Sequence, residues 1–250
     1  MHIDPPFLAA AIIAVTLMGL AKGGLQGLGA LATPLLTLAI SPVEAAAILL
    51  PILIVQDVVS VWSFRREWDR WIVAWMFPGA VAGIVIGWAF AASLSMGAVT
   101  AALGAITLGF GLWRLWIERG GRLVAASTSP GWVGSLFGVA AGFTSQIAHA
   151  GGPPAQIWIT PRRLPHLRYV GTFAVLFAMI NWAKVPAYAA LGEFTAANLL
   201  TSAMLFPLAI ASTFAGVWLI KRINPARFYR LVYGLMVALG AWLIWEGAFG

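Results

Sequence analysis

Cysteine is absent from the 250 residues, so neither a disulfide framework nor a thiolate metal site can be built. Charge is almost as scarce: 9% of the residues are Asp, Glu, Lys or Arg, against about 25% in a soluble domain. So few charges cannot cover a water-facing surface, and with 61% hydrophobic residues the composition indicates an integral membrane protein. The first residues, Met-His-Ile-Asp-Pro-Pro, lack the basic run of a signal peptide, so the apolar run from Phe7 is expected to be mature membrane segment. Enzyme signatures are missing as well. Neither a Gly-x-Ser-x-Gly elbow nor a His-Glu-x-x-His zinc helix occurs. Ser145 and His149 stand four apart, but two polar residues without an oxyanion hole or an orienting group do not make a nucleophile and base. No enzyme activity, cofactor or metal is expected, and a membrane-embedded enzyme is the weakest alternative.

What the chain does contain is apolar runs. A spanning helix needs about 20 apolar residues. Single spans are expected at 45–64, 71–91, 96–116, 167–191, 196–220 and 229–245. Two longer segments, 7–40 and 132–159, are interrupted. The first carries Ala21-Lys-Gly-Gly-Leu-Gln-Gly-Leu-Gly-Ala-Leu-Ala-Thr-Pro34, and the second carries Gln146-Ile-Ala-His-Ala-Gly-Gly-Pro-Pro-Ala-Gln156. No stretch is long or polar enough for a soluble domain, so residues 1–250 form one membrane domain.

The two halves correspond. Shifting by 123 places Gly19 on Gly142, Gly29 on Gly152 and Pro42 on Pro165. A shift of 129, after a six-residue insertion, places Pro78 on Pro207 and Gly87 on Gly216. The consistent order predicts an internal repeat, about 7–117 and 131–250, joined by a linker at about 118–130.

Basic residues decide how the repeats are oriented. Thirteen of the fifteen lie in four groups: Arg65, Arg66, Arg70; Arg114, Arg119, Arg122; Arg162, Arg163, Arg168; and Lys221, Arg222, Arg227, Arg230. If every segment crossed once, the last two groups would lie opposite the first two, against the positive-inside tendency. If 132–159 instead turns back, all thirteen share one face. Repeat symmetry extends the turn to 7–40. The fold expected is therefore all-α, with two inverted-topology repeats, each a broken re-entrant hairpin plus three transmembrane helices. Both termini are expected outside and the basic loops in the cytoplasm, where the net charge of +7 serves orientation and not nucleic-acid binding.

Two lysines escape the loop groups, Lys22 at the first break and Lys184 inside the span 167–191. A cation at the bilayer centre costs at least about 2.5–3.5 kcal/mol on insertion scales, so such groups face a cavity, a partner charge or an anion. Gly23 and Gly24 beside Lys22 allow close backbone approach, and a broken helix offers N–H groups and a partly positive N-terminus. This combination suits a small anion. Close helix packing is the plainer account of those two glycines, and an ion pair with Asp57 or snorkelling to the interface the plainer account of the lysines. Gln26, Gln146, His149 and Gln156 can donate to oxyanions, with Gly151 and Gly152 at the second break. Asn181 lies one turn before Lys184 on the same helix face. Asp57, after Gln56, is the one acid deep in a span; it can balance Lys22 or carry a coupling proton. Trp68 and Trp71 suit interface anchors.

These stretches also resemble a known family. Lys22-Gly-Gly-Leu-Gln-Gly-Leu-Gly29, Ser41-Pro-Val-Glu-Ala-Ala-Ala-Ile-Leu-Leu50, His149-Ala-Gly-Gly-Pro-Pro154 and Asn181-Trp-Ala-Lys-Val-Pro186 are similar to the TauE/SafE sulfite exporter family, also called the 4-toluene sulfonate uptake permease family. The resemblance implies a bacterial inner-membrane transporter for sulfite, sulfonates or similar small anions, monomeric or homodimeric among membrane lipids. It also implies a role in the substrate path for Lys22, Gly23, Gly24, His149, Gly151, Gly152, Asn181 and Lys184. A secondary transporter, proton-coupled, is the leading expectation; a passive anion channel on the same scaffold is the alternative. A reporter fused at Gly250 is expected to read out on the external face, and a cytoplasmic signal there would sink the inverted scheme.

Overall fold

In the computed structural model, residues 4–25, 27–93, 95–120, 129–192, 194–220 and 226–249 are described, and every regular element among them is helical. The helices are α1 (Pro5–Lys22), α2 (Ala32–Leu36), α3 (Pro42–Phe64), α4 (Arg70–Ser93), α5 (Met96–Glu118), α6 (Gly131–Ala148), α7 (Gly152–Ile159), α8 (His166–Ala190), α9 (Ala196–Leu219) and α10 (Ala226–Phe249). The six expected single spans appear as α3, α4, α5, α8, α9 and α10, with ends shifted by a few residues.

Local chemistry sets those ends. Ser41 caps α3 by accepting from the Glu44 N–H at 3.3 Å, with Pro42 at the first helical position and Glu44 completing a capping-box sequence. Thr195 caps α9 in the same manner through the Asn198 N–H at 3.1 Å. The helices present Trp62, Val85, Leu136, Met204 and Trp245 outward, each more than half exposed. An outer surface of this kind suits lipid, and six helices (α1, α3, α4, α5, α8 and α9) are long and apolar enough to cross a membrane. The chain is a multi-pass membrane protein.

The interrupted segments are divided unequally. α1 and α6 have 18 residues each, whereas α2 and α7, the helices that follow the breaks, have five and eight. The first break follows α1 directly, where Gly24 and Gly27 take left-handed φ of 129° and 101°. Gln26, between them, lies outside the described residues, as do Lys221 and Arg222.

The helix pairings form a regular set. α1 packs on α9 as α6 packs on α4; α3 packs on α9 as α8 packs on α4; α3 pairs with α8 and α5 with α10. Exchanging α1–α5 for α6–α10 leaves this set of pairings unchanged. The core divides likewise. One apolar cluster joins α1, α2, α3 and α9, and a second joins α4, α6, α7 and α8. A third cluster covers the two breaks, with Leu28, Leu31, Ala148 and Ala150 packed under Leu103, Phe110, Tyr233 and Met236 of α5 and α10.

Small residues carry the close contacts, because helices in lipid associate by van der Waals fit. A Cβ on Gly142 of α6 would lie 2.0 Å from the Ala80 carbonyl oxygen of α4. Gly142→Val is accordingly expected to destabilise the fold by roughly 1–3 kcal/mol or more, read as a lowered melting temperature in detergent. An unchanged melting temperature would mean that α4 and α6 are not in backbone contact.

Candidate functional site

α1 ends at Lys22, whose freed carbonyl accepts from Ser60 Oγ of α3 at 2.7 Å, so the helix terminus is satisfied without water. The Lys22 side chain turns to α3 and forms an ion pair with Asp57. The other Asp57 oxygen accepts from Asn181 Nδ2 of α8 at 2.6 Å. Asp57 and Asn181 are buried, while Lys22 keeps 14% of its side chain exposed. Its ammonium also lies 5.6 Å from the centre of the Phe177 ring. Three helices are thus tied at one carboxylate.

The second break is built differently. His149 caps α6 in the left-handed region at φ 50°, where glycine is the usual occupant. Its N–H donates to the Ser145 carbonyl, the 5→1 bond of an αL motif, and the Ala150 N–H donates to the Thr144 carbonyl. Holding a side-chain-bearing residue there costs about 1–2 kcal/mol, and strain of this kind is concentrated at functional sites. The imidazole is held at both nitrogens. Nε2 lies 3.0 Å from the Ala46 carbonyl, which can only accept, so Nε2 carries the hydrogen. Nδ1 then accepts from Lys184 Nζ at 2.6 Å. Lys184 also donates to the Ser145 carbonyl and Oγ, both at 3.2 Å, and is wholly buried behind the imidazole.

Between the breaks lies a cavity of about 90 Å³. A single water needs about 10–15 Å³ of such space, so this volume accommodates several waters or one small oxyanion. Lys22, Gly27 and Gly29 line it from the first break, Ser145, His149 and Gly152 from the second, and Phe173, Phe177 and Asn181 from α8. Gly27, just before the 3₁₀ helix Leu28–Leu31, and Gly152 and Pro153, which open α7, are among the lining residues.

Of the residues singled out from sequence, Lys22, His149, Gly152 and Asn181 line the cavity, and Asp57 and Lys184 stand directly behind them. Others have different surroundings. Gly23 packs on α9, where a Cβ would come within 2.4 Å of the Val217 nitrogen, and Gly24 faces Ile220. Gly151 is pressed against the Ala141 carbonyl and Phe177. Gln146 is buried against Gly87, and its backbone carbonyl accepts from Tyr188 Oη. The expectation that His149 donates to a ligand needs correcting, because its one N–H is engaged by Ala46. Gln156 accepts from Arg114 at 3.2 Å. Trp71 is no simple interface anchor: it stacks on Trp158 at 5.7 Å and lies beneath Arg162. Sequence reasoning missed the apolar wall of Leu53, Val170, Phe173 and Phe177, since nothing distinguishes these residues from others that face lipid or core.

A family model described as sulfite exporter TauE/SafE matches residues 8–243. No curated protein and no solved structure matches the chain.

Removing one member of a buried pair leaves the other charge uncompensated, at a cost of roughly 3–5 kcal/mol. Asp57→Asn is therefore expected to lower the melting temperature markedly, although the amide can still bond Asn181. The double variant Lys22→Met/Asp57→Leu should recover part of that loss. If the double variant is no more stable than Asp57→Asn, the ion pair is not what Asp57 contributes.

Proposed function

Because the chain belongs to the sulfite exporter TauE/SafE family, we propose that it is a secondary transporter whose substrate, a small sulfur-containing oxyanion of the sulfite, sulfonate or sulfoacetate kind, binds in the cavity between the two breaks. The observation that carries this reading is the convergence of both interrupted segments on one small cavity with Lys22 at its wall. Lys22 supplies charge, and Asn181 and Ser145 supply polar side chains. Phe173 and Phe177 exclude water and strengthen those contacts.

Asp57 occupies Lys22 through the ion pair. A proton on Asp57 cancels the carboxylate's hold and frees the ammonium for the anion. Proton and anion then move together, which makes the carrier proton-coupled. Lys184 fixes the His149 ring and adds positive potential from behind. The helix pairings that survive exchange of the halves support two inverted repeats, rocking about the cavity to open it on either side. On this reading the cavity lies near mid-bilayer, both termini are outside, and the basic loops are in the cytoplasm of a bacterial inner-membrane protein.

The test is sulfite or sulfonate flux in proteoliposomes. A lost charge-assisted contact is worth about 1.5–3 kcal/mol, so Lys22→Met should weaken anion affinity by about ten- to a hundred-fold. Unchanged uptake by this variant would defeat the proposed site. Accumulation against a gradient that collapses with a protonophore separates the carrier from a passive channel, which cannot concentrate its ion.

A further inference from the structure

Next to the cavity, on the side of the basic loops, lies a polar cluster that the proposed binding step does not use. Arg114 stands four residues before the end of α5, within the second basic group. Its guanidinium lies 4.9 Å from the Tyr233 ring centre and 5.6 Å from that of Trp113. Nη1 donates to Gln156 Oε1 of α7 at 3.2 Å. Among the described residues Arg114 forms no ion pair with a carboxylate. Two of the cluster's N–H donors, Arg114 Nε and Trp113 Nε1, are buried and have no acceptor among the described residues. Buried donors are nearly always paired, and those that are not call for an explanation.

The cluster is one residue layer from the cavity. Gly152, which lines the cavity, lies one helical turn from Gln156, and a Cβ there would be 3.9 Å from Gln156 Nε2. Gly27, also in the lining, faces Tyr233 Oη, 3.2 Å from where its Cβ would stand. Gln156 therefore connects the two places, with its oxygen on Arg114 and its amide nitrogen toward the cavity.

We propose that Trp113, Arg114 and Gln156 form a second oxyanion site, a station between the central cavity and the basic face. This inference rests on the transporter reading above and extends it. The ligand class is the same: a compact oxyanion with several acceptor oxygens. The planar guanidinium suits such an ion because its donors diverge at fixed angles and match two oxygens at once. Trp113 contributes a second N–H from the adjacent position. Gln156 holds Arg114 through a neutral acceptor, which an anion displaces more readily than a carboxylate. The aromatic faces of Trp113 and Tyr233 keep the guanidinium in place during the exchange. An anion released from Lys22 then meets a cation before it reaches water, so the step from cavity to cytoplasm divides into two shorter ones.

Calorimetric titration of the full chain in detergent with sodium sulfite tests this. Wild type should bind two sulfite ions, Arg114→Gln one, and Lys22→Gln one, the two variants losing different affinity classes. Trp113→Phe keeps the ring and removes one donor, so it should weaken only the second site, several-fold; this variant serves if Arg114→Gln fails to fold. One ion bound in wild type, lost in Lys22→Gln and retained unchanged in Arg114→Gln and Trp113→Phe, would overturn the second site and leave the central one standing. Two ions bound in wild type, with neither lost in Lys22→Gln, would overturn the central reading instead. No sulfite bound to wild type would overturn both.

Discussion

A lysine placed among apolar helices must find a counter-charge, and most of the site's organisation follows from how Lys22 does so. Its partner Asp57 is itself buried, so the carboxylate needs a second donor and takes it from Asn181. One carboxylate thereby joins α1, α3 and α8, and α3 and α8 are paired across the division between the halves. The position of the first break relative to α8 depends on this small network. So does the wall of the cavity, since Lys22 and Asn181 both line it.

Lys184 meets the same constraint without a carboxylate. Its ammonium is satisfied by a neutral imidazole nitrogen, a carbonyl and a hydroxyl, all from the turn that ends α6. That solution needs His149 in a left-handed conformation, with its other nitrogen bound to Ala46 of α3. The two lysines therefore have different functions in the fold. Lys22 is paired but accessible, whereas Lys184 is buried and fixes the residue in front of it. On the proposed reading, an anion entering the cavity competes with Asp57 for Lys22 and finds Lys184 already engaged.

Broken helices are tolerated at membrane depth only where protein covers the freed backbone or a polar cavity receives it. Both conditions are met here. Leu103, Phe110 and Met236 of the α5–α10 pair cover the breaks on one side, and the cavity lies on the other. The cover is also where Arg114 reaches Gln156 of α7, so the packing that shields the breaks carries a cation to the helix that follows the second break.

Much of the architecture was legible in the chain itself. Apolar length defines spanning helices whatever their neighbours, because the hydrocarbon thickness alone sets how many residues they need. The breaks announced themselves through Lys22-Gly-Gly and His149-Ala-Gly-Gly-Pro-Pro, since such residues cannot continue an apolar helix at no cost. Scarcity made Lys22, Asp57 and Lys184 conspicuous. The assignment of neighbours was not legible. Gly23 and Gly24 were indistinguishable from ligand-facing glycines until α9 was seen against them. His149 seemed a free donor until Ala46 took its hydrogen. The phenylalanines that wall the cavity carried no signal at all. Composition and spacing thus determined that this is a membrane protein of interrupted helices with a few costly charges, because those follow from transfer energies and backbone chemistry residue by residue. Which charge faces which, and which side chains enclose the cavity, were decided only by tertiary packing, because they depend on contacts between residues over a hundred positions apart, such as Asp57 and Asn181.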